Sequence, residues 1–191
     1  ICQVTTTLYN ALLFAEVEIT KRYPHSMLVS YVDPSRDAAI AGNTKDLRFK
    51  NNYDTPIYIA GEIGEDNRLR FMIYGKETRP EGHEVEYESE TTATTEYETT
   101  YKTDPEASLG SMNATGSPHT GKSARLWKIV YENGQEVSRD VINESHYNKS
   151  DQVIKVGTKS DNPEASRLVK EAVATQDKGK IKAAIAEAKS L

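Results

Sequence analysis

Three residues near the start of the chain have the types and the order that thiol chemistry needs. Cys2 is the only cysteine, and His25 and Asp37 follow it, with Asp46 as a second candidate carboxylate. A thiol nucleophile works with an imidazole base, which a carboxylate then orients. Gln3 could help to bind an oxyanion. The order therefore predicts a cysteine acyl-transferase or peptidase centre in which Cys2 is the nucleophile, His25 the base and Asp37 the orienting group.

The reactivity of Cys2 depends on its position at the predicted start of a helix. There the helix dipole and unpaired backbone N–H groups would stabilise a thiolate. The alternative is a small, buried and unreactive cysteine beside a core strand, with His25 entering a strand after Pro24. The residues alone do not decide whether the chain is an enzyme.

A second motif, from Gly116 to Ser123, matches the phosphate-loop pattern G-x-x-x-x-G-K-[ST] at every position. That pattern binds phosphates where a strand precedes it and a helix follows it. Here turn-forming residues precede it, and residues 125–131 alternate as a strand would. We therefore predict no nucleotide site.

Metal ligands are sparse. His83, His119 and His146 lie among carboxylates, so a zinc site between molecules is conceivable, but no H-x-x-x-H or comparable spacing is present. The single cysteine excludes an internal disulfide and a cysteine-based zinc site. The residues predict no cofactor, with zinc as the alternative.

Composition narrows the range of partners. The 191 residues carry a formal net charge of -5, which argues against a nucleic-acid partner because that needs a clustered basic face. No apolar run is long enough to cross a bilayer. Because the chain opens on Ile1 and Cys2 inside an apparently continuing motif, we expect it to be the C-terminal part of a longer polypeptide. Any export signal or membrane anchor would then lie upstream.

Hydrophobic spacing predicts an α+β fold for the first part of the chain. Apolar residues at helical intervals predict one amphipathic helix over about residues 3–22, ending before Pro24. An antiparallel meander should follow it. Its predicted strands are residues 27–32, 46–50, 57–60 and 68–75, with a turn at 64–67.

The second part of the chain is predicted to be an elongated β module followed by a helical hairpin. Residues 81–98 alternate with period two and predict an exposed acidic ribbon, whereas residues 103–123 read as loop. Asn162 and Pro163 signal a helix start, and Gly179 should break the helix into two. The remaining predicted elements are strands at 125–131, 136–141 and 153–157, with an Asn-Gly hairpin turn at 132–135.

The first part closely resembles the VanW-like family, named for a protein that accompanies vancomycin-resistance clusters of Gram-positive bacteria. The match extends over residues 1 to about 76. Its ordered motifs lie in residues 1–11 (ICQVTTTLYNA), 24–38 (with PHS, VSYV and RDA) and 47–52 (LRFKNN).

Residues from about 83 to 159 resemble a G-five domain, a β-rich, elongated module of cell-surface proteins. The motifs are EYETTY at 96–101, YENGQEVSR at 131–139 and IKVGTK at 154–159. As a class these modules are implicated in sugar or cell-wall binding and in zinc-dependent association. This copy departs from the pattern around residues 110–125.

Together the resemblances imply three segments: the C-terminal part of a VanW-like domain (1–78), a G-five-like β module (79–160) and a C-terminal helical segment (161–191). They imply an exported, extracellular or cell-envelope protein that binds or positions at peptidoglycan or surface glycan. Any membrane attachment would come through an N-terminal anchor upstream. Gln3, Ser26 and Arg36 are candidate ligand-binding residues, and the thiol enzyme acting on cell-wall peptides is the alternative function.

Overall fold

A computed structural model describes the whole chain, Ile1–Leu191. Its helices and strands form a mixed α+β fold that is mostly β. In chain order the elements are α1 (Cys2–Phe14), β1 (Glu18–Lys21), β2 (Arg48–Lys50), β3 (Tyr58–Ile63), β4 (Leu69–Tyr74), β5 (His83–Thr95), β6 (Thr99–Ser108), β7 (Met112–Thr115), β8 (Gly121–Glu132), β9 (Gln135–Tyr147), β10 (Gln152–Lys159), α2 (Pro163–Ala174) and α3 (Lys178–Ala188).

Helix α1 is shorter than predicted. The helix ends at Phe14 because Glu16 adopts a left-handed conformation (φ 52°), which turns the chain out of the helix. The N–H of Glu16 donates to the Leu13 carbonyl (2.9 Å) and the N–H of Val17 donates to the Leu12 carbonyl (3.0 Å). This is a Schellman closure, which satisfies carbonyls that the helix end would leave unpaired. The predicted extension to residue 22 was wrong, and those residues form β1 instead.

The first part of the chain contains two small antiparallel sheets. In one of them β1 pairs with β2, and in the other β3 and β4 form the predicted hairpin with its turn at residues 64–67. The predicted strand at 27–32 was wrong. That segment is irregular and pairs with no strand of either sheet.

A three-stranded sheet with the order β5-β8-β9 packs with α1. The ribbon predicted at 81–98 is β5, and the predicted Asn-Gly hairpin joins β8 to β9. Asn133 (φ 50°) and Gly134 (φ 78°) both have positive φ, as a type I′ turn requires. Four buried residues, Tyr9, Leu13, Ala38 and Leu126, form the core between the helix and the sheet.

The other three-stranded sheet has the order β6-β10-β7, and in it β10 runs parallel to β6. The loop predicted at 103–123 was wrong, because it contains most of β6, all of β7 and the start of β8. Strand β6 is polar along most of its length, and its hydrogen-bonding partner lies about 50 positions away, so its sequence carries no local strand signal. The phosphate-loop look-alike leads into strand β8 and has no helix after it.

Helices α2 and α3 form the predicted C-terminal hairpin. Asn162 caps α2 by accepting from the Glu164 N–H (3.0 Å), with Pro163 at the first helical position. The break between the helices was predicted at the wrong residue. It lies at residues 175–177, where Gln176 has φ 57° and Asp177 caps α3, while Gly179 lies inside α3. Val156, Val169 and Ile181 are fully buried in the core that joins the hairpin to the sheet.

Contacts divide the chain into two compact units. Unit 1 consists of residues 1–94 and 121–148, and unit 2 of residues 95–120 and 149–191. This grouping differs from the three segments predicted from the sequence, because β8 and β9 join the first part of the chain while β6, β7 and β10 join the C-terminal helices. No helix in either unit has the length and apolar character needed to cross a bilayer.

Candidate functional site

The candidate site in unit 1 is built round the buried carboxylate of Asp37. Its Oδ1 accepts from Arg22 Nη2 (2.8 Å) and from the Tyr147 hydroxyl (2.5 Å). Its Oδ2 accepts from the backbone N–H of His25 (2.7 Å) and from His25 Nδ1 (2.6 Å). Both charged partners are enclosed, since the side chains of Arg22 and Asp37 are 5% and 1% exposed. Four donors therefore hold one buried negative charge.

Three separate stretches of chain build this site. Arg22 and His25 follow β1, and Asp37 lies in the irregular segment before β2. Strand β9 supplies Ser145 and Tyr147, which point to the same side because alternate residues of a strand share a face. Ser145 Oγ accepts from Arg22 Nη1 at 2.7 Å, so β9 holds the arginine as well as the carboxylate.

The electrostatics of the site favour an ionised Asp37. Burial by itself raises the pKa of this carboxyl, but the hydrogen bonds from Tyr147 and His25 and the positive charge of Arg22 outweigh burial and hold the pKa below its usual range. Burial, together with the hydrogen bond to this carboxylate, raises the pKa of Tyr147 to about 12. Tyr147 therefore remains a hydrogen-bond donor at neutral pH.

Asp37 also sets the tautomer of His25. An ionised carboxylate can only accept, so Nδ1 carries the proton and Nε2 of a neutral ring is left as an acceptor. The Tyr31 hydroxyl lies 3.4 Å from Nε2, and the two rings meet edge to face with centroids 6.2 Å apart. The pair has the histidine–carboxylate arrangement of a general base, with Nε2 as the atom that would take a proton.

Cys2 is half-buried at the first position of α1. Its Sγ donates to the Ile40 carbonyl oxygen at 3.7 Å and makes no hydrogen bond to His25. Burial raises the pKa of the Tyr31 hydroxyl, the group that lies 3.4 Å from His25 Nε2. The structure thus brings His25 and Asp37 together and leaves the thiol outside hydrogen-bond reach of the imidazole. Asp46, the other candidate carboxylate, instead pairs at the surface with Arg48.

Two of the three predicted ligand-binding residues line a single groove. Gln3 and Arg36 lie along an open groove of about 980 Å³, which Tyr31 also lines. Ser26 lies outside it: its side chain is exposed and its backbone carbonyl accepts from the Asn148 N–H at 2.7 Å.

Sequence reasoning missed three residues of the site, which are Arg22, Tyr31 and Tyr147. Arg22 and Tyr31 lie within six positions of His25, so they could have been found by considering every polar neighbour of that histidine. Tyr147 carries no such signal, because it is 110 positions from Asp37 and reaches the carboxylate only through the packing of β9.

The structure gathers no group of three or more His, Cys, Asp and Glu side chains that could hold a metal ion. Both ring nitrogens of His83 are already bonded to carboxylates, Nδ1 to Glu132 (2.6 Å) and Nε2 to Glu16 (2.8 Å). His119 is exposed, and His146 Nδ1 lies 3.1 Å from the Ser123 hydroxyl.

Comparison with known proteins identifies two regions. Residues 1–74 match the family model described as VanW like protein, and residues 86–159 match the G5 domain model. A stretch of 59 residues is 48% identical to the uncharacterized protein YoaR of Bacillus subtilis (strain 168), covering 31% of this chain and 20% of that protein. The chain therefore spans about a fifth of the length of this curated relative.

Two solved structures of G5 domains are similar to part of the chain. One is the IgA1 protease G5 domain, with 24% identity and a TM-score of 0.31 over 41% of this chain and 94% of that chain. The other is HP0197-G5, with 12% identity and a TM-score of 0.24 over 39% of this chain and 97% of that chain. On the two family models, residues 1–74 belong to the VanW-like family and residues 86–159 are a G5 domain.

Proposed function

We propose that this chain acts at the cell envelope of a Gram-positive bacterium, outside the membrane, where it binds and positions itself on peptidoglycan or a surface glycan. The observation that carries the proposal is the open groove of about 980 Å³ in the VanW-like region. An amide, hydroxyls and an aromatic ring line it together, with Gln3, Thr7, Ser30 and Tyr31 among them. Such a lining suits glycans and their peptides, which combine hydroxyl and amide groups with apolar C–H faces.

The G5 match supports the same location, because modules of this kind are associated with cell-wall and glycan binding. A link to glycopeptide resistance rests on the VanW-like match alone and forms part of the proposal.

Retention on purified sacculi tests this function. We expect the chain to sediment with sacculi, and Tyr31→Ala to reduce the retained fraction several-fold, because it removes the aromatic ring from the groove. Tyr58→Ala is the matched control: Tyr58 is also exposed, at 68% against 41% for Tyr31, but it lies outside the groove. A wild-type chain that sacculi do not retain, or equal losses in the two variants, would refute the proposal.

A second function, thiol acyl transfer on wall peptides, is favoured by one specific observation, the 2.6 Å contact between His25 Nδ1 and Asp37 Oδ2. In this reaction Cys2 Sγ attacks a peptide carbonyl carbon while Nε2 of His25 takes the thiol proton. The same nitrogen then returns the proton to the leaving amine, and a thioester remains for water or an acceptor amine to cleave. The thiol would first have to leave the Ile40 carbonyl, and Tyr31 would have to turn away from Nε2.

The rate of alkylation of Cys2 by iodoacetamide, measured against pH, separates the two functions. The enzyme proposal expects faster labelling at neutral pH than for a free cysteine, and a return to the free-cysteine rate in His25→Gln. Labelling no faster than that of a free thiol would remove the enzyme and leave the binding function.

A further inference from the structure

Arg36 is the one arginine of the chain without a carboxylate partner. Every other arginine has an Asp or Glu oxygen within 4.0 Å. The side chain of Arg36 makes one hydrogen bond, from Nε to Asn10 Oδ1 (3.0 Å), and its two Nη groups donate to nothing in the protein. A half-buried guanidinium with free donors is costly unless an acceptor reaches it.

The surroundings hold Arg36 in one position. Asn10 accepts from Nε and donates through Nδ2 to the carbonyl oxygens of Thr6 and of Arg36 itself, each at 2.8 Å. The guanidinium carbon also lies 5.9 Å from the centre of the Phe14 ring. With Nε and one face already engaged, the two Nη groups form a fixed pair of donors, which is the arrangement that binds a carboxylate through two parallel hydrogen bonds.

The rest of the groove selects the kind of anion. Asp33 lines it without an ion-pair partner, and the charge of Arg68, which also lines it, is offset by Asp66 (3.7 Å). The whole chain carries a net charge of -5, so a polyanion would be repelled. Exposed apolar side chains, namely Val4, Tyr31 and Ile63, line the same groove beside the amide of Gln3. The lining therefore fits a ligand with a single carboxylate, small apolar side chains and amide groups.

We propose that this groove binds a short peptide through its free carboxylate, with Arg36 as the counter-ion. The inference rests on the proposed function, which would make the cell wall the source of the peptide. The chemistry of recognition rests on Arg36 and its groove. Because Tyr31 both lines the groove and contacts His25 Nε2, the body of a peptide anchored at Arg36 would lie along the approach to the His25–Asp37 pair.

Titration with N-acetyl-trialanine and with its C-terminal amide, followed by calorimetry or by amide chemical shifts, tests the assignment. The wild-type chain should bind the acid about tenfold or more tightly than the amide, because charge-assisted hydrogen bonds to the carboxylate are lost in the amide. Arg36→Gln should abolish this difference, with acid and amide then binding equally. Arg48→Gln is the matched control, since Arg48 is an exposed arginine that pairs with Asp46 (2.8 Å) and lies outside the groove, and it should keep the preference.

Three outcomes would overturn the assignment: equal binding of acid and amide by the wild-type chain, no binding of either, or a preference that survives Arg36→Gln. Glycerol phosphate and glucuronate are the competing probes. Displacement of the peptide by either at similar concentration would show a general anion site and refute the peptide assignment. Retention of the wild-type chain on sacculi, measured in parallel, distinguishes a failure of this inference from a failure of the proposed function. A chain that is retained but does not distinguish acid from amide refutes this inference and leaves the proposed function in place.

Discussion

Asp37→Asn would leave the buried guanidinium of Arg22 without its counter-charge. It keeps the size of the side chain but removes the charge that faces Arg22, and it presents an amide N–H₂ where His25 donates twice. Removing one partner of a buried ion pair costs about 3–5 kcal/mol, because the other charge is left without compensation. Arg22 cannot recover that loss from water, since its side chain is 5% exposed.

Urea unfolding followed by tryptophan fluorescence measures this cost. Trp127 is the only tryptophan and lies in β8, so its signal reports unit 1 and not unit 2. With an m-value of about 2 kcal/mol/M, a loss of 3–5 kcal/mol lowers the urea midpoint by about 1.5–2.5 M. Asp66→Asn is the control, since it removes an exposed carboxylate that pairs with Arg70, and it should cost less than about 1 kcal/mol.

A double variant separates the cost of the unpaired charge from the cost of lost packing. Replacing both charges, in Asp37→Asn with Arg22→Met, should unfold at a higher urea concentration than Asp37→Asn alone, because no uncompensated charge remains buried. If Asp37→Asn has the same midpoint as the wild-type chain, the buried-charge reasoning is wrong. If the double variant is less stable than the single one, the cost comes from lost packing and hydrogen bonds instead of from charge.

The same carboxylate predicts a pH dependence. The folded-state pKa of Asp37 lies below its unfolded value, so its contribution to stability is present above the unfolded pKa of about 4 and is lost as the pH falls through the folded pKa. The urea midpoint of unit 1 should therefore fall below about pH 4, and Asp37→Asn should reduce the slope. An identical slope in the two proteins would assign the acid sensitivity to other carboxylates.

Three further predictions concern other parts of the chain. The hydrogen bond to Glu132 is the main reason that the pKa of His83 is raised above about 6.5, so its stabilisation is present below that value and lost as the pH rises through the folded pKa. The urea midpoint measured by tryptophan fluorescence should therefore decline above about pH 6.5, and His83→Gln should flatten this decline. An unchanged decline in the variant would refute the role of His83. Gly157→Ala should cost about 3 kcal/mol or more in unit 2, seen as loss of helical circular dichroism, because the added Cβ would lie 2.0 Å from the Ser108 carbonyl oxygen. Ile181→Ala should cost about 2–5 kcal/mol in the same assay with the tryptophan transition unchanged, since Ile181 is fully buried between the helices and the sheet.

The sequence by itself determined the features that depend on neighbouring residues. The hairpin turn at residues 132–135 follows from Asn133 and Gly134, which tolerate positive φ, and the start of α2 follows from the Asn162 cap and Pro163. The alternation of residues 81–98 predicted the ribbon, of which residues 83–95 form β5. In each case the stabilising free energy comes from local backbone preferences or from a hydrogen bond between residues a few positions apart.

Tertiary structure alone decided the end of α1 and the existence of β6. Glu16 takes the left-handed conformation that usually favours glycine, and its carboxylate there contacts Lys128 and His83 from the packed sheet. Strand β6 exists because β10 pairs with it in parallel from about 50 positions away. Neither the end of α1 nor strand β6 can be predicted from the local residues, because the contacts that stabilise them form only when distant strands have packed.

The same distinction between sequence and tertiary structure applies to the candidate site. Residue types and order singled out His25 and Asp37, and these two are in contact. Only the fold brings the donors of Arg22 and of Tyr147, which lies in the G5 domain, to the buried carboxylate. Only the fold, likewise, leaves Arg36 without a carboxylate partner. The physical reason is that the charge state of a buried group depends on every donor within about 3 Å, and packing brings those donors together from positions as far apart as 22 and 147.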